Sequence, residues 1–279
     1  MALKNFKPIK STTLSSWDDL VRYETVQLSG KAPMVYRGQK EESWGLTPSL
    51  PRELGRVCEE HTAMISREKE LLRSFKKAAH LYLDSRHLPA TNGLMGWWAT
   101  MQHHGAPTRL LDWTKSFFVA LYFAAEDAST QDGAVWCLEP NRLRTETGSR
   151  SGFYGFDDLA SPGFEDLVYG NHRTWLAVAE PEVQVERMVA QQGCFSVSND
   201  VLFSHDSVLG SLTIDSDSSE SALSKIIIPA GSKPEILKRL LRLNISARTL
   251  LPGLDGYSRS MVDVIRSDET IPRGPDEPE

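Results

Sequence analysis

The stretch from Gln102 to Thr114, QHHGAPTRLLDWT, crowds ionisable and aromatic side chains together. It then gives way to the apolar run Phe117–Ala125. That run is predicted as a buried helix over Ser116–Asp127, and it fixes where a core must form. Around it the sequence offers strands over Met34–Gly38, Gly133–Leu138 and Lys225–Pro229. Helices are predicted over 62–86 and over Pro234–Asn244. A helix start with a serine cap falls at Ser16–Leu20. Strands and helices mix without a regular βαβ alternation, which favours an α+β fold over a doubly wound sheet.

The remaining segments are less regular. Residues 1–15 are polar and expected to be partly loose. Gly93–Gly105 reads as loop or short helix, 141–172 as a long loop or lid, and 183–198 as two strands or a strand-turn-strand. Residues 213–222 read as a surface loop. A single domain is expected over 1–265, with its core at about 30–260. Residues 266–279, rich in proline and acids, are expected to be a disordered tail.

Net charge excludes a general polyelectrolyte binder. The formal charge is −6, so nucleic-acid contact would have to come from a local basic patch. The three cysteines, Cys58, Cys137 and Cys194, are far apart and lack metal-ligand spacing. Reduced thiols, no metal site and a cytoplasmic protein without membrane contact are the expectations. No serine-nucleophile elbow, Walker loop, HExxH or GxGxxG occurs.

The candidate site residues come from a few places. Arg37, in Tyr36-Arg37-Gly38-Gln39 at a strand end, offers a guanidinium for a phosphate or carboxylate, or else a structural ion pair. His103 and His104 offer a hydrogen bond or an acid–base group, or cap a loop backbone. Asp112 either orients Arg109 or a histidine, or caps the next helix. Trp113 either stacks on a flat ring or packs in the core. Thr114 either bonds a ligand or caps. Trp97 and Trp98 are candidates for a base-stacking platform, with core packing as the alternative. The basic face of the 62–86 helix, including Lys76 and Lys77, could track a phosphate backbone or form a solvated face. Glu186, read on a strand, offers a carboxylate for a developing cation or a ribose hydroxyl, or else is a solvated strand residue. The density of polar groups between His103 and Thr114 argues for a ligand site, because buried polar groups cost stability unless satisfied.

Taken together, Tyr36–Gln39, Trp44–Arg52, His103–Thr114, Ala120–Ala124, Arg187–Phe195 and Lys225–Gly256 resemble the FRG domain, whose Phe/Tyr-Arg-Gly motif here reads Tyr36-Arg37-Gly38. The chain is also similar, more weakly, to ADP-ribosyltransferases. Arg37 matches their first motif. Asp112-Trp113-Thr114 with Ala120–Ala124 matches the second, and Glu186 with Gly193 and Phe195 the third. This resemblance implies a split antiparallel β core with flanking helices, gripping NAD as substrate without a metal.

It implies Arg37 on the pyrophosphate or adenosine ribose, Thr114 at the nicotinamide ribose, and Trp113 or Tyr122 stacked on nicotinamide. Gln39, Arg109, Asp112 and Gln191 are further implied NAD contacts. Glu186, with Arg37 and His104, would be catalytic; should Glu186 point away, Gln191, Asp112 or a histidine must take its work. The implied function is an ADP-ribosyltransferase toxin of a toxin–antitoxin or anti-phage system, restrained by an antitoxin protein. Its acceptor is a macromolecule, with nucleic acid (RNA or DNA) preferred to protein. An NAD glycohydrolase and a non-catalytic nucleotide- or nucleic-acid-binding module are the alternatives.

Overall fold

The computed structural model describes residues 9–28, 33–55, 60–90, 93–126, 130–142, 152–154, 163–170, 174–181, 184–212 and 222–266. In chain order the elements are β1 (Lys10–Thr13), α1 (Trp17–Leu28), β2 (Val35–Gln39), α2 (Ser49–Leu54), α3 (His61–Ala79), α4 (Leu94–His103), β3 (Leu111–Thr114), α5 (Phe117–Ala125) and β4 (Gly133–Leu138). They continue with β5 (Gly152–Tyr154), α6 (Gly163–Tyr169), β6 (Leu176–Ala179), α7 (Glu186–Gln191), β7 (Gly193–Ser198), α8 (His205–Leu212), β8 (Leu223–Ile228), α9 (Lys233–Arg242), α10 (Ala247–Leu250) and α11 (Leu254–Arg266).

The fold is α+β. All the described strands belong to one mixed sheet of order β1-β8-β4-β2-β3-β7-β6-β5, antiparallel except for its two edge pairs. Its centre is narrow. Strands β2 and β3 register only at Tyr36 and Thr114. By contrast β2 pairs with β4 along its whole length, and β3 does the same with β7. The sheet is therefore two paired halves that part immediately beside Arg37 and Asp112.

Each half buries one face under its own helices. Under β2, β4 and β8 lies a core of α5 and α9 with Tyr36, Val135, Cys137 and Ile226. Under β6 and β7 lies a second core, in which α4 supplies Trp97, Trp98 and Met101 and α6 supplies Phe164 and Val168. The opposite face carries one apolar layer across both halves, with Val35, Leu111, Trp113, Trp136 and Val178 under Val208 and Leu209 of α8. The period-2 alternation of β2, β3 and β4 sorts the side chains between these faces.

Helix α5 sets the closeness of packing. It is apolar all round, and Ser116 caps it by accepting from the Val119 amide at 3.4 Å. Its backbone lies directly on Gly38 of β2, where an added Cβ would stand 1.9 Å from the Ala120 carbonyl oxygen. Only glycine permits that approach.

Several sequence expectations change. The polar N-terminal segment contributes β1, an exposed edge strand parallel to β8. The 62–86 helix ends at Ala79, where the Leu81 and Tyr82 amides turn back to Ala78 and Ala79. Gly93–Gly105 is chiefly helix α4, held by its buried tryptophans. The 183–198 region is a helix followed by a strand. The Glu-Arg-Met-Val-Ala-Gln run is mostly good helix former, and left-handed Gln192 (φ 49°) turns the chain into β7. Within 141–172, β5 and α6 form elements. Most of the rest of that proposed lid, most of the 213–222 loop, Cys58 and the tail beyond Arg266 lie outside the described residues. No described helix is long and apolar enough to cross a membrane.

Candidate functional site

Where the two half-sheets part, a cleft of about 460 Å³ opens. Its floor comes from both sides of the split: Arg37 and Gln39 of β2, Asp112 and Thr114 of β3. Its rim comes from the segment between β2 and α2, which supplies Lys40, Trp44 and Thr47, and from α2, which supplies Arg52. Arg187 and Gln191 of α7 and Glu126 after α5 close it. Arg37, Lys40, Arg52 and Arg187 thus face Asp112 and Glu126, giving a cationic cleft on a chain of net charge −6.

Arg37 spans the split. Its Nη1 donates to the Asp112 main-chain oxygen at 2.7 Å and stands 3.9 Å from the Asp112 carboxylate. Its Nε is buried and has no hydrogen-bond partner among the described residues. Burial lowers its pKa, Asp112 opposes that change, and the nearby Arg52 guanidinium adds to it. Two guanidiniums facing one space, one with an unused donor, form a site for an anion.

Other candidates are committed to the scaffold. Gln39 donates to the Gly45 carbonyl at 3.1 Å and accepts from Trp136 Nε1 at 2.7 Å. Thr114 lines the cleft, but its hydroxyl donates to the Gln191 carbonyl at 2.6 Å and accepts from the Ser116 amide at 3.0 Å. It is a brace between β3 and α7. Trp113 is buried. Its Nε1 donates to Ser196 Oγ at 2.7 Å, and that oxygen lies 2.8 Å from Nδ1 of the buried His205. Gln191 reaches the cleft while its amide donates to the Leu250 carbonyl at 2.9 Å.

Four expectations fail on burial. Arg109 is 1% exposed and pairs with both oxygens of Glu68 on α3; its Nη1 donates to the Ser198 carbonyl at 3.0 Å. It is a core ion pair far from any ligand role. Tyr122 lies in the α5 core, whereas its neighbour Phe123 reaches the cleft. Trp97 and Trp98 are enclosed under the sheet and present no face for a base. Lys76 sits 5.3 Å over the Trp97 ring, so it seals that core, while Lys77 lies exposed on α3.

Glu186 also differs from its expected place. It opens α7, exposed, and lines a neighbouring cavity with His103 and His104, while the cleft receives Arg187. Successive side chains on a helix diverge by about 100°, so a strand-based alternation could not have shown this. His104 follows α4 as its C-cap, outside the cleft. His103 has a lowered pKa, from burial first and then from His104 and Arg187. Cys137 and Cys194 are buried, which pushes both thiols up to about 12 and leaves them unsuited as nucleophiles.

Sequence reasoning did not single out Lys40, Arg52, Glu126 or Arg187 as ligand contacts, nor Trp44, the one exposed tryptophan. Lys40, two residues after Tyr36-Arg37-Gly38, was the available local signal. Residues 32–133 match the family model of the FRG domain. The match covers β2 through the start of β4, and hence both strands of the split and the rim. No curated protein matches the chain, and no solved structure does.

Proposed function

We propose that the cleft binds NAD as a substrate and that the protein transfers its ADP-ribose to a macromolecule. The observation carrying this reading is the Arg37–Arg52 pair set against the Asp112 carboxylate across the split between β2 and β3. The guanidiniums suit a pyrophosphate, which takes bidentate N–H donation and offsets their mutual repulsion. A carboxylate beside that anchor suits the positive charge that develops on the ribose as nicotinamide leaves. The volume lies within the range of small-molecule sites. The parting of the half-sheets accords with the split β core that the ADP-ribosyltransferase resemblance implies.

In this reading Asp112, from β3, takes the role the resemblance gave Glu186. Gln191 is the neutral neighbour available to a ribose hydroxyl. The acceptor is a nucleic acid or a protein. Burial of Trp97 and Trp98 removes the proposed base platform, so the preference for nucleic acid loses that support. The setting proposed is a toxin of a toxin–antitoxin or anti-phage system, held by an antitoxin protein.

The test is incubation of purified protein and a cell lysate with adenylate-labelled NAD, followed by separation of protein, RNA, DNA and small-molecule fractions. Label on a macromolecule that vanishes in Arg37→Ala is the expected result. Free ADP-ribose alone would make the enzyme a glycohydrolase. Saturable binding with no NAD loss would make the cleft a nucleotide clamp, a reading favoured by the contact Asp112 already makes with Arg37.

A further inference from the structure

Trp44 is 45% exposed and lines the cleft, while Trp97, Trp98, Trp113, Trp136 and Trp175 are buried. An exposed tryptophan on a surface turn is ordinary when the turn is loose. This turn is not loose. The Lys40 carbonyl accepts from Lys233 Nζ at 2.8 Å, and Lys233 is wholly buried. The Glu42 carbonyl accepts from Lys225 Nζ, and the Glu42 amide donates to the Asp132 carbonyl at 2.7 Å. The Gly45 carbonyl accepts from Gln39. The Leu46 amide donates to Asp206 Oδ1 at 2.7 Å, and the Leu46 carbonyl accepts from the His205 amide at 2.8 Å.

Donors and acceptors from β2, β8, α8 and α9 therefore converge on the main chain on either side of Trp44. Burying an ammonium is costly, and Lys233 incurs that cost to hold a main-chain oxygen. Such fixing presents an aromatic face with little ordering left to be done on binding.

We infer that Trp44 is the stacking platform for a planar heteroaromatic ring of the nucleotide in the cleft, and that Asp206 is the residue that positions it. The inference rests on the NAD reading of the cleft. Adenine and the nicotinamide ring share the required chemistry, a flat π face above an indole. Arg37 and Arg52 lie in the same cleft and anchor the phosphates between those rings. Asp206 does not line the cleft; it acts through the Leu46 amide.

The test is calorimetric titration of the full chain with NAD, ADP-ribose and nicotinamide mononucleotide. Trp44→Ala is expected to weaken NAD binding about tenfold, and Trp44→Phe to keep it within about threefold. Asp206→Ala is expected to weaken it severalfold, with Asp206→Asn, which retains the acceptor oxygen, restoring it. A loss shared by NAD and ADP-ribose places adenine on Trp44. A loss shared by NAD and nicotinamide mononucleotide, with ADP-ribose unchanged, places nicotinamide there. Equal binding of all ligands by wild type and Trp44→Ala overturns the inference and leaves the NAD reading standing. Failure of the wild type to bind any of the three overturns both.

Discussion

Arg37 Nη1 donates to the main-chain oxygen of Asp112 at 2.7 Å, while the Asp112 carboxylate lies 3.9 Å from the same nitrogen. The closer contact is to the backbone, so the guanidinium is oriented by the strand and the carboxylate is left for other work. Asp112→Asn keeps the main-chain acceptor and removes only the charge. We expect NAD turnover to fall about 100-fold, with NAD affinity changed far less. Arg37→Lys, which loses the planar fork, should instead weaken NAD binding roughly tenfold. Steady-state kinetics beside calorimetry separate the two; an active Asp112→Asn enzyme would remove Asp112 from the proposed chemistry.

Glu186 provides the contrast. It lies outside the cleft at the start of α7, so Glu186→Gln should leave NAD turnover within about twofold of wild type. A loss comparable to that of Asp112→Asn would mean that α7 rearranges in the reacting complex.

The Arg109–Glu68 pair belongs to stability. Both side chains are almost wholly buried, at 1% and 2% exposure. Glu68→Gln should strand the guanidinium and cost about 3–5 kcal/mol in urea unfolding. Nucleotide affinity of the molecules that remain folded should not change. A variant as stable as wild type would show that the Ser198 carbonyl and the Trp98 and Tyr169 rings beside Arg109 suffice.

Gly38→Ala should destabilise by roughly 3 kcal/mol or more, because its Cβ meets the α5 backbone and neither element can yield without moving the core. Thermal unfolding reads this directly. An unchanged midpoint would mean that β2 and α5 pack less closely than described.

His205 gives a pH dependence of definite sign. Burial, with Arg37 and Arg109 nearby, lowers its pKa to about 3. The unfolded chain takes a proton on this histidine near pH 6.5, while the folded protein resists until about pH 3. Its contribution is therefore full above about pH 6.5 and is lost as the pH falls through that window, at up to about 1.4 kcal/mol per unit. Denaturation curves of wild type and His205→Gln across pH 4–7 should converge towards acid. Parallel curves would contradict the assignment.

The dense motif from Gln102 to Thr114 shows how sequence and structure divide the work. Its polarity was legible, and so was the buried helix after it. Its purpose was not. Thr108 bonds Gln102 and accepts from nothing in the cleft; its amide donates to Ser49 Oγ at 3.0 Å. Arg109 joins α3 to the end of β7, and Trp113 joins β3 to α8 through Ser196. Most of the motif is thus scaffold, and only Asp112, Trp113 and Thr114 line the cleft. A hint was present: Glu68 sits on the buried stripe of Met64, Leu72 and Ala79, where an acid requires a partner.

By itself the sequence determined the α+β class, the α5 helix, strands β2, β4 and β8, and the close backbone approach at Gly38. Those follow from local periodicity, from capping and from the conformational demand of glycine. Tertiary structure alone decided that β2 and β3 part after a single register pair. It also decided that α7 turns Arg187 and not Glu186 into the gap, and that Lys225, Lys233 and Asp206 fix Trp44 beside it. These contacts join residues as many as 193 positions apart. Such pairs become neighbours only when the sheet assembles, and no local pattern records them.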